Sequence, residues 1–378
     1  MTEEKQLRIC LSSCFFLKWS FMWPTKSEEF RTSKGLYFRL LAFVIISGLT
    51  FTAMIVMHLL KSVEAGDYDI SEDIAILATN TGYILMMLLY IIRQKDLESL
   101  LVDLSSFKKY QKPPKFDEVN RKLEWCTRMV FGYCVFGSVF YNLVKILAIP
   151  SCKKSRRINE VCGVAIPYWV WFDTENWSIK LPLILHTFLV IIIVDKVTLL
   201  VSLQVLEIAC NIKLRLDQLN CMLVSCFDGD VEASRRRLNE CIKYHKEIIS
   251  YSEIFSKCFS IEMFTHLTTT GIICGCLENQ VVQEHRPEAI LHIGGWITAI
   301  FVSSFGGQIL IDSSLSVAEA AYSSAWYEAD VSLRKDLILV ILRAQKALFV
   351  STGPFNVLSF ALFVSIMKMS YSILTILQ

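Results

Sequence analysis

Four polar residues recur at steps of three, four and three within an otherwise apolar run near the end of the sequence. They are Ser365, Lys368, Ser372 and Thr375, inside SFALFVSIMKMSYSILTILQ. In a helix this spacing places all four on one face. Hydroxyl and ammonium groups are costly against lipid, so this face is expected to meet water or another subunit. The chemistry it predicts is the solvation of ions or of polar protein groups.

A second set of side chains could bind a small apolar molecule. Aromatic and small polar residues recur in the outer halves of predicted membrane spans two to six. Aromatic residues in such helices more often serve packing, so helix packing and a ligand pocket are both open at this point. The set consists of Asn80, Tyr83, Phe136, Phe140, Tyr141, His186, Phe188, Thr269, Ile293, Trp296 and Ile297.

The sequence contains none of the common catalytic patterns. G-x-G-x-x-G, G-x-x-x-x-G-K, H-E-x-x-H and G-x-S-x-G are all absent, and there is no C-x-x-C pair of the kind that binds zinc. We therefore expect neither an enzyme nor a resident metal or cofactor, and no nucleic-acid partner.

Membrane helices are the elements that must position both sets. Of the 378 residues, 53% are hydrophobic and the mean hydropathy is +0.45, which is too apolar for a soluble chain. Windows of about 20 residues suffice to cross the hydrocarbon core. The fifth such window is the weakest because it contains Glu262 and His266. The predicted spans are 40–60, 74–92, 129–149, 181–206, 258–277, 289–311 and 355–377.

The basic residues predict the orientation of these spans. One set of alternating loops carries 28 lysines and arginines and the other carries seven. Since cytoplasmic loops hold the excess, the N-terminus is expected in the cytosol and the C-terminus outside. The sequon at Asn176 then lies in an outer loop, and residues 1–39 have no signal-peptide pattern. The final residues are expected at the outer end of the last span.

Ionisable residues inside the spans have two kinds of explanation. Lys145 lies near an outer end, where its ammonium can reach the interface, and Asp195 is expected to make a structural contact between helices. Lys368 lies near the middle of the last span, on the polar face. An aqueous or subunit-facing position is the better interpretation for it.

The cytosolic segments are predicted to be helical and to assemble subunits. Leu214, Leu216, Leu219 and Leu223 lie among charged residues, and a second apolar stripe runs from Tyr244 to Ile254. In residues 312–354, apolar positions at helical spacing precede Gly353-Pro354, which breaks the helix before the last span. Apolar stripes facing the cytosol need a partner, so we expect self-assembly through this region.

Two of the 13 cysteines lie in a predicted outer loop. Cys152 and Cys162 share an oxidising compartment, which permits a disulfide, but their spacing does not establish one. Bridged and free states both remain open from the sequence.

Motifs in the last hundred residues resemble those of the insect odorant-receptor family. They are Trp326-Tyr327, the basic segment at Arg343 to Lys346, the break at Thr352 to Phe355, and Ser370-Tyr371-Ser372. The upstream IPYWVWFD is similar to the family's loop before span four, although its second proline is missing. The ending differs from that of the gustatory branch, and the long insertion typical of the co-receptor is absent. The chain therefore looks like a tuning receptor and not the co-receptor.

The resemblance implies an all-α membrane protein with seven helices, inverted topology and a split seventh helix. It implies a single domain, 1–378, with a cytoplasmic N-terminus (1–39), six spans enclosing an odorant pocket (40–311), a cytoplasmic anchor (312–354) and a pore-lining helix (355–378). It further implies a tetrameric, odorant-gated cation channel, shared with co-receptor subunits, in the plasma membrane of an olfactory neuron. The family's gate maps onto Ile376, with Thr375, Ser372 and Lys368 along the pore face.

Two other classes remain as alternatives. A G-protein-coupled or gustatory-type receptor is opposed by the lysine and arginine balance and by the absence of D-R-Y and N-P-x-x-Y. A transporter would require paired broken helices, which the sequence does not indicate.

Overall fold

The structure is a computed structural model that describes residues 7–18, 22, 34–64, 66, 70–154, 161–164, 166, 169–172, 174, 176–283, 288–353 and 356–377. Helices dominate this part of the chain, joined by a short 3-10 turn at Trp326–Glu328 and a two-stranded hairpin. The helices are α1 (Leu11–Lys18), α2 (Lys34–Glu64), α3 (Ser71–Ser105), α4 (Phe116–Leu147), α5 (Ile149–Lys154), α6 (Trp177–Val224), α7 (Val231–Val282), α8 (Glu288–Tyr322), α9 (Val331–Ala344) and α10 (Phe360–Leu377).

Six of these helices are long and apolar enough to cross a membrane, counting only the described residues: α2, α3, α4, α6, α8 and α10. They coincide with six of the seven predicted spans. The fifth predicted span, 258–277, lies within α7, but this helix is not apolar enough to count among the six. Glu262 and His266 are both fully buried there. A helix enclosed by other helices need not be lipophilic on every face, which explains its weak hydropathy.

Helix α6 lies at the centre of the bundle. It packs along α8, α4 and α7, and residues such as Val197, Leu200 and Ile212 are inaccessible to solvent. At about 1.5 Å per residue, its 48 residues extend for roughly 70 Å, more than twice the hydrocarbon thickness. Both α6 and α7 therefore continue as helices beyond the predicted spans, as the sequence predicted for the segment 207–257.

A buried carboxylate ties the N-terminal helix to this extension. Glu207 accepts hydrogen bonds from Ser13 Oγ at 2.6 Å and from Thr127 Oγ1 at 2.7 Å. These donors belong to α1 and α4, so three elements converge on one side chain of α6. Hydrogen bonds to charged groups are among the stronger ones, and this arrangement holds α1 against the bundle.

The apolar stripes of the segments predicted to be cytosolic pack mainly within the chain. Leu216, Leu219, Tyr244 and Ile248 are fully buried in the main hydrophobic core. The expectation that these stripes require another subunit was wrong, because α6 and α7 pack against each other, α6 also packs against α8, and α7 also packs against α3. Helix α9 retains an exposed apolar face of its own, formed by Ile338, Leu339 and Leu342.

The last helix begins later than predicted. The chain forms a hairpin in which Ser351–Thr352 pairs antiparallel with Asn356–Val357, and α10 begins at Phe360 rather than at 355. Gly353 has a φ of 67°, and a Cβ there would lie 2.9 Å from Phe264 Cδ2. Glycine therefore allows this turn to approach α7. The break at Gly353 was predicted, but Pro354 and Phe355 lie outside the described residues.

The loop predicted to lie outside contains a disulfide between Cys152 and Cys162, with Cα atoms 5.7 Å apart. Asn176 lies at the start of α6, where its side chain accepts a hydrogen bond from Ser178 N and caps the helix. The bridge resolves the alternative that the sequence left open.

His245, in the extension of α7 beyond the predicted span, makes the stability of the protein sensitive to acid. Burial, assisted by the positive charge of Arg343, lowers the pKa of His245 to about 4. Because the folded pKa lies below the unfolded value of about 6.5, the neutral side chain contributes stability above that value, and the contribution is lost as the pH falls towards 4. The full loss is on the order of 3 kcal/mol.

We expect His245→Gln to flatten part of the pH dependence of thermal unfolding between pH 6.5 and 5. The full-length protein in detergent, followed by a thiol-independent fluorescence melt, provides the measurement. The prediction would be contradicted if the melting temperatures of the wild type and His245→Gln fell equally as the pH was lowered across this range.

Candidate ligand cavity and pore helix

A cavity lies between the predicted outer halves of α3, α4, α6, α7 and α8. It has about 620 Å³ of empty space, part of it open to the outside. Its apolar wall includes Phe51, Val190, Val194, Ile273 and Leu277. Such a lining favours an apolar guest through burial of surface.

The other end of the cavity is polar. Lys145 Nζ lies 3.0 Å from Glu72 Oε1, and both side chains are largely buried. The ring of Tyr141 stacks on that of His292 with centroids 4.3 Å apart, and Lys145 lies over the Tyr141 ring at 5.4 Å. The sequence had suggested that the Lys145 ammonium reaches towards the membrane interface. The structure shows instead that it pairs with the carboxylate of Glu72. Glu72, Tyr141 and His292 all line the cavity.

Gln280 is a polar side chain of the cavity that makes no hydrogen bond to another described residue. It is 4% exposed and lines the cavity three residues beyond Leu277 on α7. Asn80 differs, since its Nδ2 donates to Gly48 O at 3.0 Å and to Thr52 Oγ1 at 2.6 Å, which fixes α3 against α2. A ligand oxygen or N–H group thus has Gln280 as its natural partner.

Three of the eleven predicted ligand residues line this cavity: Asn80, Tyr141 and Trp296. Trp296 also lines a neighbouring cavity of about 450 Å³ between α4, α6 and α8, as does His292, so both residues lie where the two spaces adjoin. Ile293 packs with Trp296 against Ile273 and Leu277, just behind the wall.

The other predicted residues lie away from the cavity lining. Phe136 is 62% exposed and stacks on Phe140 along the outside of α4. Tyr83 is buried in the main core, where its hydroxyl donates to Met87 Sδ. Thr269 packs on Gly82, and His186 Nε2 lies 2.9 Å from Ser47 Oγ. Phe188 and Ile297 are partly exposed and belong to neither cavity lining.

Sequence reasoning missed most of the wall. Its aliphatic members, such as Val190, Ile191 and Val194, look like any other residues of a membrane helix, so no local signal distinguishes them. Glu72 and Gln280 fell outside the predicted spans, at the outer ends of spans two and five. A search for polar residues just beyond span ends could have found them.

Helix α10 presents the predicted polar stripe away from the rest of the chain. Lys368, Ser372 and Thr375 are exposed, and Ile376 is 81% exposed. The opposite face packs on α7, where Ile366 and Ser370 are buried. The structure therefore brings the four predicted pore residues onto one open face of the subunit.

Two glycines allow α7 and α10 to approach closely. A Cβ at Gly275 would lie 2.7 Å from Ile373 Cβ and 2.8 Å from Ser370 O, and one at Gly271 would overlap Met369 Cε. Ser370 Oγ also donates to Glu278 Oε1 at 2.9 Å. Small residues four apart commonly mediate such contacts between membrane helices.

Comparison with known families identifies the protein class. The family described as 7tm Odorant receptor matches residues 68–371 of this chain. The chain belongs to this family. It is accordingly a multi-pass membrane receptor of the odorant-receptor type, a class distinct from enzymes.

Curated relatives agree with this assignment. This odorant receptor is similar to Odorant receptor Or2 of Anopheles gambiae, with 29% identity over 146 residues, which cover 37% of this chain and 38% of that receptor. It is 22% identical to Odorant receptor 85c of Drosophila melanogaster over 271 residues, 69% of each chain. Both relatives are named as individual odorant receptors and not as the co-receptor, as the sequence predicted.

The fold is that of solved insect olfactory receptors. The structure of OR5 from Machilis hrabei in complex with eugenol superimposes with a TM-score of 0.75, at 16% identity, over 97% of each chain. The structure of OR5 without a named ligand gives the same TM-score at 17% identity. At this identity the likeness establishes the shared helical fold.

Proposed function

We propose that this odorant receptor is the odorant-binding subunit of a heteromeric, nonselective cation channel. Co-receptor subunits complete the tetramer, and the complex lies in the plasma membrane of olfactory neuron dendrites. The N-terminus is cytosolic and the C-terminus extracellular. The Cys152–Cys162 bridge supports this orientation, because disulfides persist mainly in oxidising compartments such as the cell exterior.

The observation that carries the proposal is the double role of α7. Ile273 and Leu277 line the ligand cavity, while Gly271 and Gly275 hold α10 against the same helix. These pairs are offset by two residues, about 200° around a helix, so they lie on nearly opposite faces. A ligand that displaces α7 therefore acts directly on the helix that carries the polar stripe. This is the coupling that a ligand-gated pore requires.

The exposed faces support assembly around a pore. Helix α10 leaves Lys368, Ser372, Thr375 and Ile376 without cover from this subunit, and α9 leaves the apolar face Ile338, Leu339 and Leu342. Subunits that meet through α9 would surround a channel lined by α10. A single Lys368 beside three co-receptor helices is compatible with cation flow, whereas four facing one path would repel cations.

Co-expression with a co-receptor tests the function. We expect odorant-evoked, nonselective cation current, and labelling of a tag after Gln378 on intact cells. No current across a broad odorant panel despite surface delivery would contradict the channel. Labelling of the tag only after permeabilisation would favour the G-protein-coupled alternative, whose C-terminus is cytosolic.

Gln280 is predicted to select ligands that carry a hydrogen-bonding group. Gln280→Leu keeps the approximate volume but removes the amide, so the half-maximal concentration for oxygenated odorants is expected to rise about tenfold. Hydrocarbon analogues of the same shape are expected to change less than about twofold. Concentration–response curves for matched pairs of odorants provide the measurement.

The control for that substitution is Gln283→Leu, an exposed position at the end of α7 outside the cavity. Equal shifts for Gln280→Leu and Gln283→Leu, or equal shifts for both members of an odorant pair, would exclude Gln280 as a ligand contact.

Ile376 is predicted to form the hydrophobic constriction of the closed pore. Ile376→Ala removes three carbons from a ring that excludes water, so a basal current without odorant is expected. Ile376→Leu retains the apolar volume and is expected to remain closed at rest. Whole-cell leak normalised to surface expression distinguishes them, and identical leak in both variants would count against this site.

A further inference from the structure

A further, larger cavity, open to the surface, lies beside the middle of α7, between Ser252 and Ile261, and shares no residues with the ligand cavity. It has about 1020 Å³ of empty space and lies between α7 and the segment that joins α9 to the hairpin. The function proposed above does not involve this cavity. Its lining combines basic side chains, hydroxyl groups and exposed apolar side chains, and this combination indicates its ligand.

The basic side chains of the cavity outnumber the acidic ones. Lys257, Arg343 and Lys346 line it, against the single carboxylate of Glu253. Lys257 Nζ lies 3.1 Å from Asp96 Oδ2, a residue outside the lining. Arg343 uses one of its five N–H donors on the carbonyl of Lys346, at 3.1 Å. The cavity is thus suited to an anion held mainly by Arg343 and Lys346.

Hydroxyl groups provide a second set of donors. Ser351 Oγ lies 3.1 Å from Ser256 Oγ and donates to Ser260 Oγ at 2.9 Å, while Ser351 N donates to Ser256 Oγ at 3.0 Å. The three side chains are partly buried and hold the hairpin against α7. Hydroxyls grouped with guanidinium and ammonium groups match the several acceptor oxygens of a phosphate.

The apolar side chains point to a lipid rather than a soluble anion. Ile261 and Phe349 line the same cavity and remain 54% and 40% exposed. Lys257 immediately precedes the predicted span 258–277, so the cavity lies where a membrane helix meets water. A soluble phosphate would use only the basic and hydroxyl groups, whereas a phospholipid would also cover the apolar side chains.

We propose that this cavity binds the phosphorylated headgroup of an anionic lipid, of the phosphoinositide class, from the cytoplasmic leaflet. Arg343, Lys346 and the serine hydroxyls hold the phosphate oxygens, and the acyl region lies on Ile261 and Phe349. The choice of leaflet rests on the orientation proposed above, and that leaflet carries the anionic lipids. Because the lipid joins α7 to the segment leading into α10, it stabilises one arrangement of the pore helix.

Lipid binding to the full-length protein tests the proposal. The probes are nanodiscs of phosphatidylcholine alone, with phosphatidylserine, or with phosphatidylinositol bisphosphate, and soluble inositol trisphosphate. Native mass spectrometry or a fluorescent short-chain lipid reports occupancy. We expect Arg343→Gln combined with Lys346→Gln to weaken phosphoinositide binding by about tenfold or more. Arg236→Gln combined with Lys335→Gln removes two exposed charges outside the cavity and is expected to leave binding within about twofold.

The second part of the experiment tests the apolar side chains. Ile261→Ser combined with Phe349→Ser is expected to weaken binding of the lipid but not of soluble inositol trisphosphate. Equal losses in the cavity and control charge variants would overturn the proposal, as would phosphatidylserine binding as tightly as the phosphoinositide. If inositol trisphosphate binds as tightly as the lipid, the lipid assignment is overturned. Nanodiscs expose both leaflets, so these results report the site even if the proposed orientation or channel activity fails.

Discussion

Replacing Trp296 by alanine is expected to raise the odorant concentration for half-maximal current by roughly 30- to 100-fold. Trp296 lines the ligand cavity and the neighbouring one, so its removal enlarges the ligand cavity towards the second space. Truncating an aromatic anchor of a binding site costs about 2 kcal/mol or more, and about 2.0–2.7 kcal/mol corresponds to that range. The enlarged space also admits water beside an apolar ligand.

Phe136→Ala is the matched control for Trp296→Ala. It removes another aromatic side chain from the same outer half of the bundle, but Phe136 faces outward from α4. Its half-maximal concentration is expected to stay within about twofold of the wild type. The measurement is concentration–response under co-expression, normalised to surface protein. A shift from Phe136→Ala as large as that from Trp296→Ala would mean that the outer surface of α4, and not the cavity, meets the odorant.

Gly275→Ala is expected to separate the pore helix from α7. A Cβ at this position would meet Ile373 Cβ and the carbonyl oxygen of Ser370, and neither can move without α10. Overpacking of this kind typically costs about 1–3 kcal/mol. Because α10 packs mainly on α7, we expect odorant-evoked current to fall roughly tenfold.

Gly132→Ala provides the control for the change at Gly275. Nothing lies within 4 Å of a Cβ at Gly132, which is also in a membrane helix. Alanine is the better helix former by about 1 kcal/mol, so this variant is expected to be neutral or slightly more stable. Thermal unfolding and surface-normalised current provide the two measurements. A neutral Gly275→Ala would show that α10 is held by other contacts.

Much of the fold could be predicted because each helix carries its own signal. Apolar length located six spans, and helical spacing located the buried stripes at Leu216, Tyr244 and Leu337. The remaining span, the fifth, was predicted at 258–277 despite Glu262, and the structure confirms a helix there with that side chain buried. The hairpin at Ser351–Thr352 was missed, because two-residue strands have no periodicity to detect.

The candidate site was predicted less completely. Aromatic residues that line a cavity and those that face lipid share the same hydropathy, so Trp296 and Phe136 could not be distinguished. The pairing of Lys145 with Glu72 joins residues 73 positions apart, and no local pattern records such a contact.

The sequence by itself determined the membrane class, the predicted orientation and the polar face of the last helix, because hydropathy, charge balance and helical spacing are local properties of the chain. The tertiary structure alone decided which of those faces have partners. It buried the predicted cytosolic stripes within the subunit, brought Glu72, Gln280 and Trp296 to one cavity, and left Lys368, Ser372, Thr375 and Ile376 exposed. The physical reason is that a sequence pattern defines a face, whereas only the packing of helices determines what that face contacts.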